Sequence, residues 1–394
     1  MSAGPVTGFK RIRALAAVTA SMAIMAMVFG FSFPMFSTRL AEIGVSDAMI
    51  GLNASAQAFG VFLVVWFAPR LIASQGPVRI MLAMTAIKLV AVILCMLFPS
   101  FWPWLFFRLM IGATGSILWI AGETWINEIA HEKIRGRELA IYSAALGLGT
   151  VLGNLVIEVA GFDGWLPFAA LAAIVTVAAV PLLFVLRDSP RLDFARHSVG
   201  LGGFLTSFKQ APLAILLNAV FAAIFVSMHS SITIYGLDVG MSLERAVQVL
   251  IVFNIGGIVM PYAAGWLADR MDRALLSFFL VLLTTMLFVV MGWALSQPGI
   301  DLVYMFVLGG LAAAIYAIAL VLLGERFRGA ALASATATFT LMWNVGAALG
   351  PLITGAAMDA MGASGLPVTL AIMSAAILPL AFGAWRRRTA ATVE

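Results

Sequence analysis

Charge is scarce in this chain. Acidic and basic residues, 18 and 23 of them, make up 10% of 394 positions. A soluble domain carries about a quarter charged residues, so a water-facing surface cannot be assembled here. Cysteine is almost missing. Cys95 is the sole one and lies in an apolar run, which excludes an intrachain disulfide and a cysteine-based metal site. The three histidines, at 131, 197 and 229, stand at no metal-ligand spacing to one another. No Walker loop, G-x-S-x-G or HExxH motif occurs. The sequence therefore points to no enzyme, no cofactor and no bound metal.

Apolar residues fill the space that charge leaves. They reach 63%, and mean hydropathy is +1.07. Apolar runs near 20 residues mark membrane helices rather than barrel strands. Twelve such spans are expected, at 14–37, 48–69, 79–99, 102–127, 139–160 and 165–186, then 212–235, 243–267, 274–296, 300–322, 333–357 and 365–385. The first run, Ala14 to Phe36, exceeds the apolar core of a signal peptide and reads as an uncleaved helix. Ser46 and Ser242 are expected to cap the second and eighth spans, and Pro212 to open the seventh. Arg187 to Gln210 is the one long polar stretch, a linker rather than a domain. The expected organisation is a bundle over 1–186, a cytoplasmic linker over 187–211 and a second bundle over 212–394.

The two halves repeat. His131-Glu-Lys-Ile-Arg-Gly-Arg-Glu-Leu-Ala140 lines up with Gly324-Glu-Arg-Phe-Arg-Gly-Ala-Ala-Leu-Ala333, an offset of 193. Gly44-Val-Ser46 lines up with Gly240-Met-Ser242 at 196. A duplicated chain of two pseudo-symmetric six-helix bundles follows. Its orientation comes from basic residues. With the N-terminus inside, 19 of the 23 Lys and Arg fall in cytoplasmic segments, Arg39 and Arg245 in outer loops, and Lys88 and Arg108 within spans. That asymmetry puts both termini in the cytoplasm and explains the net charge of +5 without nucleic acid.

Four local motifs give the halves a family likeness. Gly265-Trp-Leu-Ala-Asp-Arg270 followed by Arg273 resembles the G-x-L-A-D-R-x-G-R loop of the major facilitator superfamily, with Asp272 in place of a glycine. Its counterpart in the first half, Pro69 to Arg79, keeps Gly76 but has Ala73 at the acidic position. Arg108-Leu-Met-Ile-Gly112 resembles the family's fourth-helix R-x-x-x-G. Gly149-Thr-Val-Leu-Gly153-Asn154 resembles the fifth-helix G-x-x-x-G-P of antiporters with Asn for Pro, and Gly346-Ala-Ala-Leu-Gly350-Pro351 completes it in the second half. The Glu123-Thr-Trp125 neighbourhood is similar to the YcaD-like bacterial branch. The resemblance implies a monomeric multi-pass protein of the bacterial inner membrane. It would move a small molecule between its halves by alternating access, with protons as the coupling ion. Export by antiport and import of an organic anion or aromatic nutrient both stay open, and a non-transporting sensor or scaffold is a remoter alternative.

Candidate site residues come from charges and rings inside spans, where an ionisable group is costly enough to suggest function. Lys88, Arg108, Glu123, Glu158 and His229 qualify. At 100° per residue, positions 112, 115, 119 and 123 lie within about 60° of Arg108, with Glu123 about 22 Å further along the axis. Arg108 and Trp119 are thus candidates for substrate binding, joined by Phe29, Phe33 and Tyr316 as an aromatic wall. Packing against core or lipid is the plainer role for such rings. Glu123 and His229 are candidates for carrying the proton, although a lone histidine more often ties helices together. Lys88 can snorkel instead, and Glu158 reads as solvated or as a fallback partner for Arg108. Glu132, Arg135, Asp269, Arg273, Glu325 and Arg328 form an expected cytoplasmic gate, whose plainer reading is a set of topology signals.

Overall fold

The computed structural model describes residues 8–131, 134–188 and 201–393. The described secondary structure is helical, as the spans require. The helices are α1 (Gly8–Glu42), α2 (Asp47–Val64), α3 (Ala68–Gln75), α4 (Pro77–Leu97), α5 (Phe101–Ile129), α6 (Arg135–Ala160) and α7 (Leu166–Leu183). They continue as α8 (Leu201–Gln210), α9 (Pro212–Asp238), α10 (Leu243–Ala268), α11 (Arg273–Leu295), α12 (Ile300–Arg326), α13 (Gly329–Met361), α14 (Gly365–Ala375) and α15 (Leu378–Val393). Among the described residues 11 stretches are long and apolar enough to cross a membrane. The last, Ser334–Arg388, has 55 residues and is interrupted after Met361. At 1.5 Å per residue it has room for two crossings of a core about 30 Å thick, consistent with twelve.

Two expected spans are broken where proline makes continuation costly. The second ends at Val64, and α3 begins just before Pro69. The twelfth is interrupted at Ala376 and Ile377, ahead of Pro379. Proline removes a backbone donor and crowds the preceding turn, which hydropathy does not register. The polar linker also differs from expectation, because Leu201–Gln210 folds as α8.

Contacts divide the chain into two compact units, Met1–Arg39 with Ala56–Arg196, and Leu40–Ser55 with His197–Glu394. The same helix pairings recur inside each. In the first, α4 packs on α5 and α7; in the second, α11 packs on α12 and α14. Glycine notches repeat as well. A Cβ on Gly112 of α5 would collide with the Gln57 backbone of α2, and one on Gly309 of α12 with the Phe253 backbone of α10. Gly153 of α6 sits against Met27 of α1, and Gly350 of α13 against Ala223 of α9. These are offsets of about 197, so the repeat in sequence is a repeat in packing.

The contact division departs from the sequence halves at Leu40–Ser55. Within the second unit the start of α2 runs along α13. Gly51 leaves room for the Pro351 carbonyl, Gly355 for the Asp47 carbonyl, and Ser55 Oγ donates to Ala348 O at 2.5 Å. Asp359 accepts from the backbone N–H groups of Asp47 at 2.7 Å and Ala48 at 3.2 Å, satisfying donors expected to fall to Ser46. Ser242 caps α10 by accepting from the Arg245 N–H at 3.2 Å, as expected, and Pro212 lies in the first turn of α9.

Candidate functional site

Helix α5 carries Arg108, Trp119 and Glu123, and packing splits its marked face in two. Its first half is covered. Gly112 meets α2, and Gly115 meets Lys88 of α4. Arg108 has no exposed surface. Its Nη1 lies 3.4 Å from Ser32 Oγ, its guanidinium stands 4.4 Å from the Phe33 ring centre and 5.0 Å from that of Phe36, and its Nε has no hydrogen-bond partner. Phe29 stacks obliquely on Phe33 at 4.5 Å. Arg108, Phe33 and Phe29 thus form one group at the α1–α5 contact. Glu158 is exposed, and no ion pair joins it to Arg108 among the described residues, so the fallback partnership does not form.

The second half of the face is open. Trp119 is 38% exposed, and its Nε1–H donates to Glu123 Oε1 at 2.8 Å. Glu123 is half-buried and pairs with no cation among the described residues. Deeper on the same helix, Gly122 faces Met22 of α1.

In the second unit His229 is fully buried and held at both ring nitrogens. Nδ1 lies 2.7 Å from Phe225 O, and Nε2 lies 3.2 Å from Asn254 Nδ2. A neutral imidazole donating through Nδ1 and accepting at Nε2 fits these partners. Tyr316 packs 5.1 Å from Phe221 and 5.9 Å from Phe339.

Of the expected gate residues, Arg273 and Glu325 meet at one end of the second unit. Arg273 pairs with Glu325, which also takes Arg388 at 2.9 Å, and Arg388 reaches Asp272 at 3.6 Å. Asp269 and Arg328 stand at the ends of α10 and α13 without joining these pairs. Glu132 and the side chain of Arg135 lie outside the described residues.

Residues that sequence reasoning passed over explain two of the four basic groups outside the cytoplasmic count. Arg39 pairs with Asp163 at 2.9 Å. Arg245 grips the nearly buried Asp301 with two bonds of 2.7 Å, and that carboxylate also accepts the N–H groups of Gly299 and Leu302. Both outer arginines are therefore neutralised locally. For Arg245 the available signal was an arginine on the wrong side and an acid, Asp301, in the first turn of α12. Lys88 and Arg108 differ. Both are buried, and neither meets a carboxylate among the described residues.

Comparison with known proteins accords with this arrangement. The family model of the Major Facilitator Superfamily matches residues 18–309. The chain is 25% identical over 260 residues to the uncharacterized MFS-type transporter YfkF of Bacillus subtilis, covering 64% of this chain and 66% of YfkF, just under two thirds of its length. It is 24% identical over 263 residues to YcaD of Salmonella arizonae, covering 66% of each. Among solved structures, a bacterial homologue of the human lysosomal transporter Spinster superposes with a TM-score of 0.76 at 16% identity, over 95% of this chain and 96% of that one. The nucleoside transporter NupG does so at 0.75 and 12% identity, over 95% and 98%. At such identities the last two speak for the fold alone. With its apolar helices, repeated glycine notches and matched family model, this polytopic membrane protein belongs to the Major Facilitator Superfamily.

Proposed function

We propose that the chain is a proton-coupled antiporter of the bacterial inner membrane, with both termini cytoplasmic, which exports a small organic molecule as a monomer. The observation that carries the coupling is Glu123. It is an acid inside a span with no cation opposite it among the described residues, tethered only by the Trp119 N–H. Such a carboxyl can lose and regain a proton without breaking an ion pair, which a carrier requires. His229 is the weaker candidate, because both its nitrogens are engaged and protonation would force the Asn254 amide to turn. The exchange mode is supported by the antiporter-like glycines of α6, seated directly against α1. Alternating access would require α2 and α13 to part and rejoin along Gly51, Ser55 and Gly355.

A second reading, import of an organic anion or aromatic nutrient, is favoured by Arg108 and its flanking Phe33 and Phe36 rings. Direction is read by reconstituting the protein in liposomes and reversing the imposed pH gradient. Export by antiport predicts cargo moving opposite to the protons and against its own gradient, whichever way the pH gradient points. Cargo moving with the protons would favour the second reading. Glu123→Gln is expected to abolish gradient-driven movement yet keep cargo–cargo exchange, because the amide preserves shape and hydrogen bonding while removing titration.

A further inference from the structure

Of the four basic groups outside the cytoplasmic count, Lys88 and Arg108 are the two that meet no carboxylate among the described residues. Burying a cation without an anion is costly, and arginine cannot escape the cost by shedding its proton. Each has only weak partners in their place. Lys88 Nζ stands 4.0 Å from Met25 Sδ, and Arg108 Nη1 stands 3.4 Å from Ser32 Oγ. Both partners lie on α1, seven residues apart. The facing helix α5 gives the same spacing. Lys88 Nζ rests where a Cβ on Gly115 would come within 3.1 Å, and Gly115 follows Arg108 by seven residues on one face of α5. Two helices therefore place the cations about 10 Å apart along the α1–α5 contact. Between Met25 and Ser32 α1 carries Phe29, stacked at 4.5 Å on the Phe33 ring that stands against Arg108.

We propose that Lys88 and Arg108 form a single two-point site for a molecule with an anionic group at each end and an apolar body between. The ring of Phe29 would lie along that body, with Phe33 at its Arg108 end. Each anionic group would replace one weak contact, Met25 at Lys88 and Ser32 at Arg108, and would meet the unpartnered Nε of Arg108. Both cations are covered as the structure stands, so entry requires α1 to separate locally from α5. This inference rests on reading the chain as a small-molecule transporter, and it is independent of direction and of Glu123.

The test is binding to the purified full-length protein in detergent, with no gradient imposed, so that it does not depend on coupling. The probes are linear dicarboxylates from succinate to sebacate, with octanoate as the one-ended control. The expected result is an affinity peak at suberate or its neighbours, at least tenfold tighter than octanoate. Lys88→Met should collapse that preference to about onefold, whereas Lys88→Arg should keep a preference of several-fold. Gly115→Ala, which pushes the ammonium tip aside, should weaken suberate several-fold and spare octanoate. An equal affinity for suberate and octanoate, a preference that survives Lys88→Met, or no dicarboxylate binding by folded protein would each overturn the proposal. Failure of the antiport reading looks different: binding would follow this pattern while pH-driven flux was absent.

Discussion

At the scale of single residues, the distinction that matters is between charges that are answered and charges that are not. Asp301 is answered by two guanidinium bonds and two backbone N–H groups while nearly buried. Asp301→Asn removes the charge that Arg245 needs, and a destabilisation of about 3 kcal/mol is expected. Thermal unfolding in detergent would register it as a fall in Tm, and an unchanged Tm would show the pair to be dispensable. Arg108 is the opposite case, with aromatic rings and one weak hydroxyl contact around it. Arg108→Lys keeps the charge but loses the planar fork and its stacking, so cargo should bind at least tenfold more weakly. Equal binding by the Lys variant would refute the contact. The sequence identifies Arg108 and Lys88 as conspicuous because burial inside an apolar run is visible in one dimension. It cannot tell that Arg245 meets an acid and Arg108 meets none among the described residues, since a partner comes from another helix and the register between helices leaves no periodic trace.

At the scale of helices, contact depends on what is left out of the side chains. Gly309 and Gly112 let two backbones approach at matching places in the two units. Gly309→Ala should cost about 1–3 kcal/mol, because the added methyl meets rigid backbone. Gly265→Ala, with nothing within 4 Å, should stay within about 0.5 kcal/mol. Comparing the two unfolding midpoints separates notch packing from general helix propensity, and equal midpoints would contradict it. Helix existence was readable from apolar run length, which is why most expected spans reappear within a few residues. The breaks before Pro69 and Pro379 were readable in principle, but a hydropathy window averages over a single proline. The packing of Asp47, Gly51 and Ser55 on α13 was not readable. Nothing in α2 alone distinguishes a glycine facing a distant helix from one facing lipid.

At the scale of the whole molecule, the account is a duplicated chain that uses one gradient to drive another flux. Cys95 is buried, so Cys95→Ser gives a background in which single cysteines report sidedness. Cysteines placed at Lys10 and at Arg386 should be labelled from the same side of sealed vesicles by an impermeant maleimide. Labelling from opposite sides would overturn the topology and, with it, the even number of crossings. The central claim is that proton movement through Glu123 drives cargo movement, and proteoliposome flux under an imposed pH gradient tests it most directly. The account predicts cargo accumulation by the wild-type chain that vanishes when the gradient is collapsed. It also predicts that Glu123→Gln loses this accumulation while exchanging labelled for unlabelled cargo at an undiminished rate. Accumulation by the Glu123→Gln variant equal to wild type would contradict it.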